Sequence, residues 1–282
     1  EFMNINYTLN YYKKKKPPRF LLFDKIMGYK PKGRLLGSAK NLIVPGHEFK
    51  KNYKLLCKQS NLKNRNIFVA GMPSYENVLK IKKNWSAQKR GVFLKKLNIN
   101  YKKNIYSFFL TYSKYDKNKI KEIFIVINEI VKQKKNCFFL LILHPKTDKN
   151  DIKYIKTYLS NFSNYKIIFG KGDEEFNTKI ILSSYILLQK QSTVGFLIML
   201  LKKPIISYNI LDTEYEDNMY EIMGNSYHCK TILSLRKTLK FINNKKKINL
   251  LEKKQEKSCY KFCYPFTSPS KEIINIINKI LI

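Results

Sequence analysis

From residue 104 to residue 210 the chain alternates short apolar runs with helix-length segments, and this alternation constrains its fold more than any other feature. Ile105–Tyr112, Cys137–Leu143, Tyr165–Phe169, Tyr185–Leu188 and Ile205–Tyr208 read as strands buried on both faces. Between the first two, Asn118–Lys132 sets Ile120, Ile123, Phe124, Ile127, Ile130 and Val131 along one helical stripe. Asn150–Leu159, Glu174–Leu182 and Thr193–Leu201 supply further helices, the last stopped by Lys202–Lys203–Pro204 because proline cannot continue it. Strands separated by helices build right-handed βαβ units, so the expected class is α/β with a parallel sheet covered on both faces.

Upstream, the elements are shorter. Asn41–Val44 and Ile67–Ala70 are expected strands, closed by Pro45–Gly46 and Gly71–Met72–Pro73, and Phe49–Gln59 an expected helix. Residues 80–103 include Trp85, the chain's single tryptophan; they are the most basic and least periodic part and are expected to be a linker. Residues 1–19 are polar, basic and proline-terminated. Lys13–Lys16 is followed by Pro17–Pro18 rather than by an apolar run, so the pattern is a flexible arm and not a secretory signal. Downstream, Thr231–Asn243 reads as a helix, and Ser268–Pro269 as the cap and first turn of a last helix, Lys271–Leu281. The expected division is an arm over 1–19, a partial N-terminal α/β lobe with its linker over 20–103, and a second lobe over 104–282.

Of 282 residues, 44% are hydrophobic, enough for a proper core in one large or two smaller domains. No apolar run is long and charge-free enough to span a bilayer. The net charge of +35 favours polyanionic partners. Its source is lysine spread over the whole length, without a homeodomain, zinc-finger or RNP pattern. Specific nucleic-acid binding is therefore not expected, and an anionic membrane surface is the better match. Of the five cysteines only Cys259 and Cys263 are close, without a histidine nearby, so neither a zinc site nor any other metal site is expected.

Three strand ends carry the candidate chemistry. His144–Pro145–Lys146 follow Cys137–Leu143, Gly170–Lys171–Gly172 follow Tyr165–Phe169, and Gln191–Ser192–Thr193 follow Tyr185–Leu188. In a parallel sheet all three stand on one edge, where α/β folds bind ligands. The His144 imidazole can donate to a phosphate or carry a proton near neutrality, and Lys146 adds a positive charge. Ser192 and Thr193, with the backbone N–H groups of Val194 and Gly195, form a candidate phosphate cradle at a helix start. A plain N-cap explains Ser192 equally. His47 follows another strand end and is either a ligand-facing group or a surface histidine opening a helix. A P-loop, a G-x-S-x-G elbow and a G-x-G-x-x-G fingerprint are all absent.

The order of motifs is Val44–Gly46, Ile67–Tyr75, Phe108–Tyr112, His144–Pro145, Ser192–Gly195 and Lys203–Ile206. It resembles that of the GT-B glycosyltransferases, and within them the capsule and teichoic-acid branch that includes CDP-glycerol glycerophosphotransferases. The resemblance implies two Rossmann-like lobes, a donor nucleotide held mainly by the C-terminal one, and no metal or other cofactor, the nucleotide-activated donor being itself the substrate. It assigns His144 to the donor phosphate or a developing charge, with Lys146 beside it. Gln191, Ser192 and Thr193, with the backbone of Val194 and Gly195, would hold the diphosphate. The chain departs from the pattern in three ways. Phe196–Leu201 lacks the acidic residue that often reads the sugar or ribose. Met27–Gly28 and Lys32–Gly33 stand where a His-Gly pair is usual, which leaves His47 as the substitute catalytic base. Residues 1–103 are short for a first lobe, which is expected to be incomplete.

The expected function is transfer of a sugar or polyol phosphate from a nucleotide-activated donor to a surface polysaccharide or lipid-linked acceptor, in the cytoplasm or at the inner face of the cell membrane. Two alternatives stay open: a UDP-sugar 2-epimerase-like enzyme, which needs no acceptor, and a non-catalytic basic lobe that binds polyanions or a membrane.

Overall fold

The computed structural model describes residues 20–22, 40–59, 65–110, 117–170, 173–190, 192, 194–211, 220, 224–242, 244–263 and 268–281. The expected arm over 1–19 lies outside them, as do Gln191, Thr193, Lys171 and Gly172. The chain forms two compact units, residues 1–77 with 257–282 and residues 78–256.

The first unit holds a parallel sheet of β1 (Phe20–Leu22), β2 (Asn41–Val44) and β3 (Asn66–Val69), in that order. Helix α1 (His47–Gln59) buries Phe49, Tyr53 and Cys57, one residue per turn. Helix α2 (Ser74–Lys83) contains the first unit boundary. Helix α9 (Lys245–Phe262) contains the second. The end of α9 runs against the β2–α1 turn: a Cβ on Gly46 would lie 2.5 Å from the Lys261 carbonyl oxygen, so only glycine admits that approach. The last helix, α10 (Pro269–Leu281), lays Ile273 and Ile276 on Ile43 and Ala70. Its N-terminus is capped by Glu76, which accepts from Ser270 N–H at 2.7 Å and Ser268 Oγ at 3.3 Å. The expected extension of the second lobe to residue 282 therefore differs from the observed division. The apolar stripe of α10 is covered by the first sheet, a long-range pairing that periodicity cannot assign.

In the second unit the sheet order is β6–β5–β4–β7–β8–β9, every neighbour parallel. The strands are β4 (Asn104–Phe109), β5 (Cys137–Leu143), β6 (Tyr165–Phe169), β7 (Ile186–Gln189), β8 (Ile205–Tyr208) and β9 (Tyr227–Cys229). Counted within the unit this is 3-2-1-4-5-6, the doubly wound nucleotide-binding order. The intervening helices are α4 (Lys117–Gln133), α5 (Lys149–Leu159), α6 (Glu174–Ser183) and α7 (Val194–Leu200), with α8 (Ile232–Phe241) after β9. Alternate residues divide the faces. Tyr106, Phe108, Phe139, Leu141, Leu188 and Ile206 join one core with Ile123, Phe124 and Ile127 of α4. On the opposite face Ser107 Oγ meets Ser184 Oγ at 2.6 Å.

One expectation is corrected here. Residues 80–103 are not a linker: they hold the end of α2 and all of α3 (Ala87–Lys96), which is capped by Ser86. Only Leu94 of α3 is fully buried, and Phe93 stands edge-on to Trp85 and Phe176, too sparse a stripe to register as periodic. Strand β9 had no counterpart in the sequence reading; three residues are too few to carry a pattern.

Helices α4 and α8 are joined by Arg236, whose Nε and Nη2 reach the two carboxylate oxygens of Glu129 at 2.6 and 3.0 Å. These bonds, helped by Lys132, hold the Glu129 carboxyl down at about 2, against an ordinary 4.5. The resulting stabilisation is complete above 4.5 and is lost as pH falls towards 2. Arg236→Met is expected to lower the melting temperature at neutral pH and to flatten its decline through that window. Thermal unfolding followed across the acid range checks both effects.

Candidate functional site

The sheet order fixes where to look. Winding turns from one side to the other between β4 and β7, and the crevice outside the carboxyl ends at such a switch point is where ligands bind. His144 and Lys146 follow β5, and Ser192, Val194 and Gly195 follow β7, the two strands flanking β4. The structure thus brings five of the predicted residues to one edge of one sheet. His47 is the exposed first residue of α1 and belongs to the other unit. Gln191 and Thr193 lie outside the described residues.

His144 sits in a tight turn. Its Nδ1 accepts from Lys146 N–H at 3.1 Å, and its carbonyl accepts from the Thr147 N–H and Oγ1 at 2.9 and 2.7 Å. With Nδ1 accepting, the neutral ring carries its proton on Nε2. Burial, and secondly the charge of Lys146, push its pKa below the ordinary 6.5. The lowered pKa favours the uncharged ring of His144 at neutral pH.

Ser192 makes a local cap. Its Oγ accepts from Val194 N–H at 3.3 Å and its carbonyl from Gly195 N–H at 3.0 Å. Tyr220, fully buried, donates its hydroxyl to the same carbonyl. A Cβ on Gly195 would overlap the Tyr220 ring. Glycine is required here to admit an aromatic side chain that clamps the turn, a reason the sequence did not suggest.

A buried ion pair at this edge was not foreseen from the sequence. Lys190, at the end of β7, forms an ion pair with Glu122 of α4, and both side chains are buried. The Glu122 carboxylate also accepts from the N–H groups of Ile210 and Leu211, just past β8. A signal existed: in a chain with 20 acidic residues, Glu122 and Glu129 stand seven apart, two turns, on a helix whose other charged residues are all lysines. Beside the pair is a pocket of about 50 Å³, with Lys119, Thr147, Asp151 and Lys190 as its polar groups. The adjoining Gln189 is wholly buried, and its carboxamide has no hydrogen-bond partner among the described residues. Among those residues no cluster of His, Cys, Asp and Glu could hold a metal ion, and no helix is long and apolar enough to cross a membrane.

No family model matches the sequence, and no curated protein does. Solved structures do. The wall teichoic acid polymerase TagF aligns with a TM-score of 0.59 at 17% identity, over 88% of this chain and 60% of that one. The UDP-GlcNAc 2-epimerase of Neisseria meningitidis bound to UDP-GlcNAc aligns at 0.61 and 16%, over 88% and 62%. The S. aureus MnaA–UDP structure aligns at 0.61 and 13%, over the same shares. The chain thus spans about three fifths of the length of the structures it matches. The fold is of GT-B type: α/β, with Rossmann-like parallel sheets, as expected.

Glu122→Gln leaves Lys190 buried without a countercharge and is expected to cost roughly 3 kcal/mol, read from denaturant unfolding. Gly195→Ala is expected to cost roughly 1–3 kcal/mol by overpacking. In a double-mutant cycle with Tyr220→Ala most of that cost should vanish, because the clash has a single partner.

Proposed function

We propose that the chain binds a nucleotide-activated donor at the carboxyl edge of the second sheet and transfers its sugar or polyol phosphate to a surface polysaccharide or lipid-linked acceptor. One observation carries this reading. A 3-2-1-4-5-6 parallel sheet places a neutral imidazole donor, His144, and a polar turn, Ser192, on the two strands that flank its switch-point strand. His144 Nε2–H donates to a donor phosphate oxygen, and Lys146 offsets the charge that gathers there as the leaving group departs. The His144 ring is set by a backbone bond before substrate arrives, so it needs little reorganisation at the moment of reaction. The likeness to a teichoic acid polymerase, a form of which was soaked with CDPG, supports a nucleotide-linked donor of this class.

The likeness to UDP-GlcNAc 2-epimerases favours a second reading, epimerisation of a UDP-sugar at the same edge. Incubation with a UDP-sugar and no acceptor separates the two, since only an epimerase forms product.

Calorimetric titration of CDP, UDP, GDP and CMP at moderate salt tests the shared premise. Saturable binding of one nucleotide is expected, weakened about tenfold in His144→Ala by loss of one hydrogen bond to a charged group. Weak and equal binding of all four, fading with salt and indifferent to the substitution, would instead mark a basic surface for polyanions.

A further inference from the structure

Three helices lie side by side over one face of the second sheet. Arg236 ties α8 to α4 through Glu129, and Tyr158 of α5 stacks on Phe124 of α4 with ring centres 4.4 Å apart. Ile127, Ile155 and Leu235 turn inward from the three helices to the same core. The acids of this layer turn inward as well. Its helices contain Glu122, Glu129 and Asp151, and all three are buried.

The outward side is left cationic. Lys121, Lys149, Lys153, Lys156, Lys237 and Lys240 are exposed, and none of them forms an ion pair among the described residues. Asp148, exposed just before α5, caps that helix by accepting from the Asn150 N–H at 2.7 Å. By contrast α6 and α9 show acids at the surface, Glu175 paired with Lys179 and Glu256 with Lys202. Each helix of the layer also exposes apolar surface among its lysines: Val131 of α4, Tyr158 of α5, and Ile232 and Leu233 of α8. Leu233 is the barest of these, at 61%.

We infer that the outer side of α5, α4 and α8 is a docking surface for an anionic lipid bilayer. Lysines without a local countercharge are drawn to acidic headgroups, and apolar side chains beside them enter the headgroup boundary. Tyrosine, apolar in body and polar at its tip, suits the same depth. A dissolved polyanion such as duplex DNA would take up the charge and leave Val131 and Leu233 in water. The net charge of +35 favours an anionic partner without saying where it meets the chain. The segregation of acids inward and lysines outward assigns it to these three helices. The inference goes beyond the nucleotide-donor reading and does not depend on it.

Co-sedimentation of the intact chain with phosphatidylcholine vesicles, with and without phosphatidylglycerol, tests it. Binding is expected only where phosphatidylglycerol is present. Lys153→Glu/Lys156→Glu/Lys237→Glu is expected to weaken it roughly a hundredfold, the scale of three lysines at an anionic surface. Lys89→Glu/Lys95→Glu/Lys96→Glu makes the same change in net charge on α3, which packs on α6 and not on the layer, and should leave binding near wild type. Leu233→Ser should remove the part of the binding that survives high salt, because that part is apolar. A wild type that binds neither vesicle overturns the inference, as do equal losses from the two triple variants. Duplex DNA held as tightly as the vesicles, with vesicle binding indifferent to Leu233→Ser, marks a general polyanion surface and overturns it too. Melting temperatures near wild type separate a lost surface from a lost fold, and the wild-type comparison of vesicles with DNA decides the matter where a variant does not fold.

Discussion

One buried carboxylate ties the second unit together where its sheet changes winding. Glu122 pairs with the Lys190 ammonium at the end of β7 and accepts two backbone N–H groups just past β8. A charge taken fully out of water is tolerable only when every lone pair finds a donor, and here three donors from two other segments converge on it. Helix α4, the end of β7 and the exit of β8 are thereby fixed to one another. Lys190 also lies 5.9 Å from the Tyr208 ring centre, so one aromatic ring packs beside the pair.

This position matters because the carboxyl ends of β4, β5, β7 and β8 form the edge that carries the candidate site. Edge residues are useful only if they hold still, and the loops that carry them would otherwise be the softest parts of the fold. Three local devices stiffen the rim. His144 is held by its own turn, Ser192 by the Tyr220 hydroxyl above Gly195, and Lys190 by Glu122. Each spends polar groups on bonds within the edge, and the bond to Nδ1 of His144 puts the proton of the neutral ring on Nε2.

Much of this was legible in the residue order. Continuous apolar runs of strand length between amphipathic helices admit little but a parallel sheet, and the strands Cys137–Leu143, Tyr165–Phe169 and Ile205–Tyr208 fall where expected. The histidine turn after β5 was legible because a polar group at the end of a buried strand stands out. The reason for Gly195 was not: a glycine near a helix start suggests room for a phosphate, while the observed occupant of that room is Tyr220, 25 residues further along. Helix α3 escaped because its contacts are few and aromatic rather than periodic.

The sequence by itself determined the α/β class, the parallel sense of the second sheet and which residues stand at its carboxyl edge. Those follow from hydrophobic period and chain direction, which are local properties. Only the tertiary structure decided the strand order, the return of the last helix to the first unit, and the pairing of Glu122 with Lys190 and of Tyr220 with the Ser192 turn. Each of those joins segments far apart in the chain. Which distant groups meet depends on how whole elements pack, and on burial that turns an ordinary charged residue into one that must find a partner.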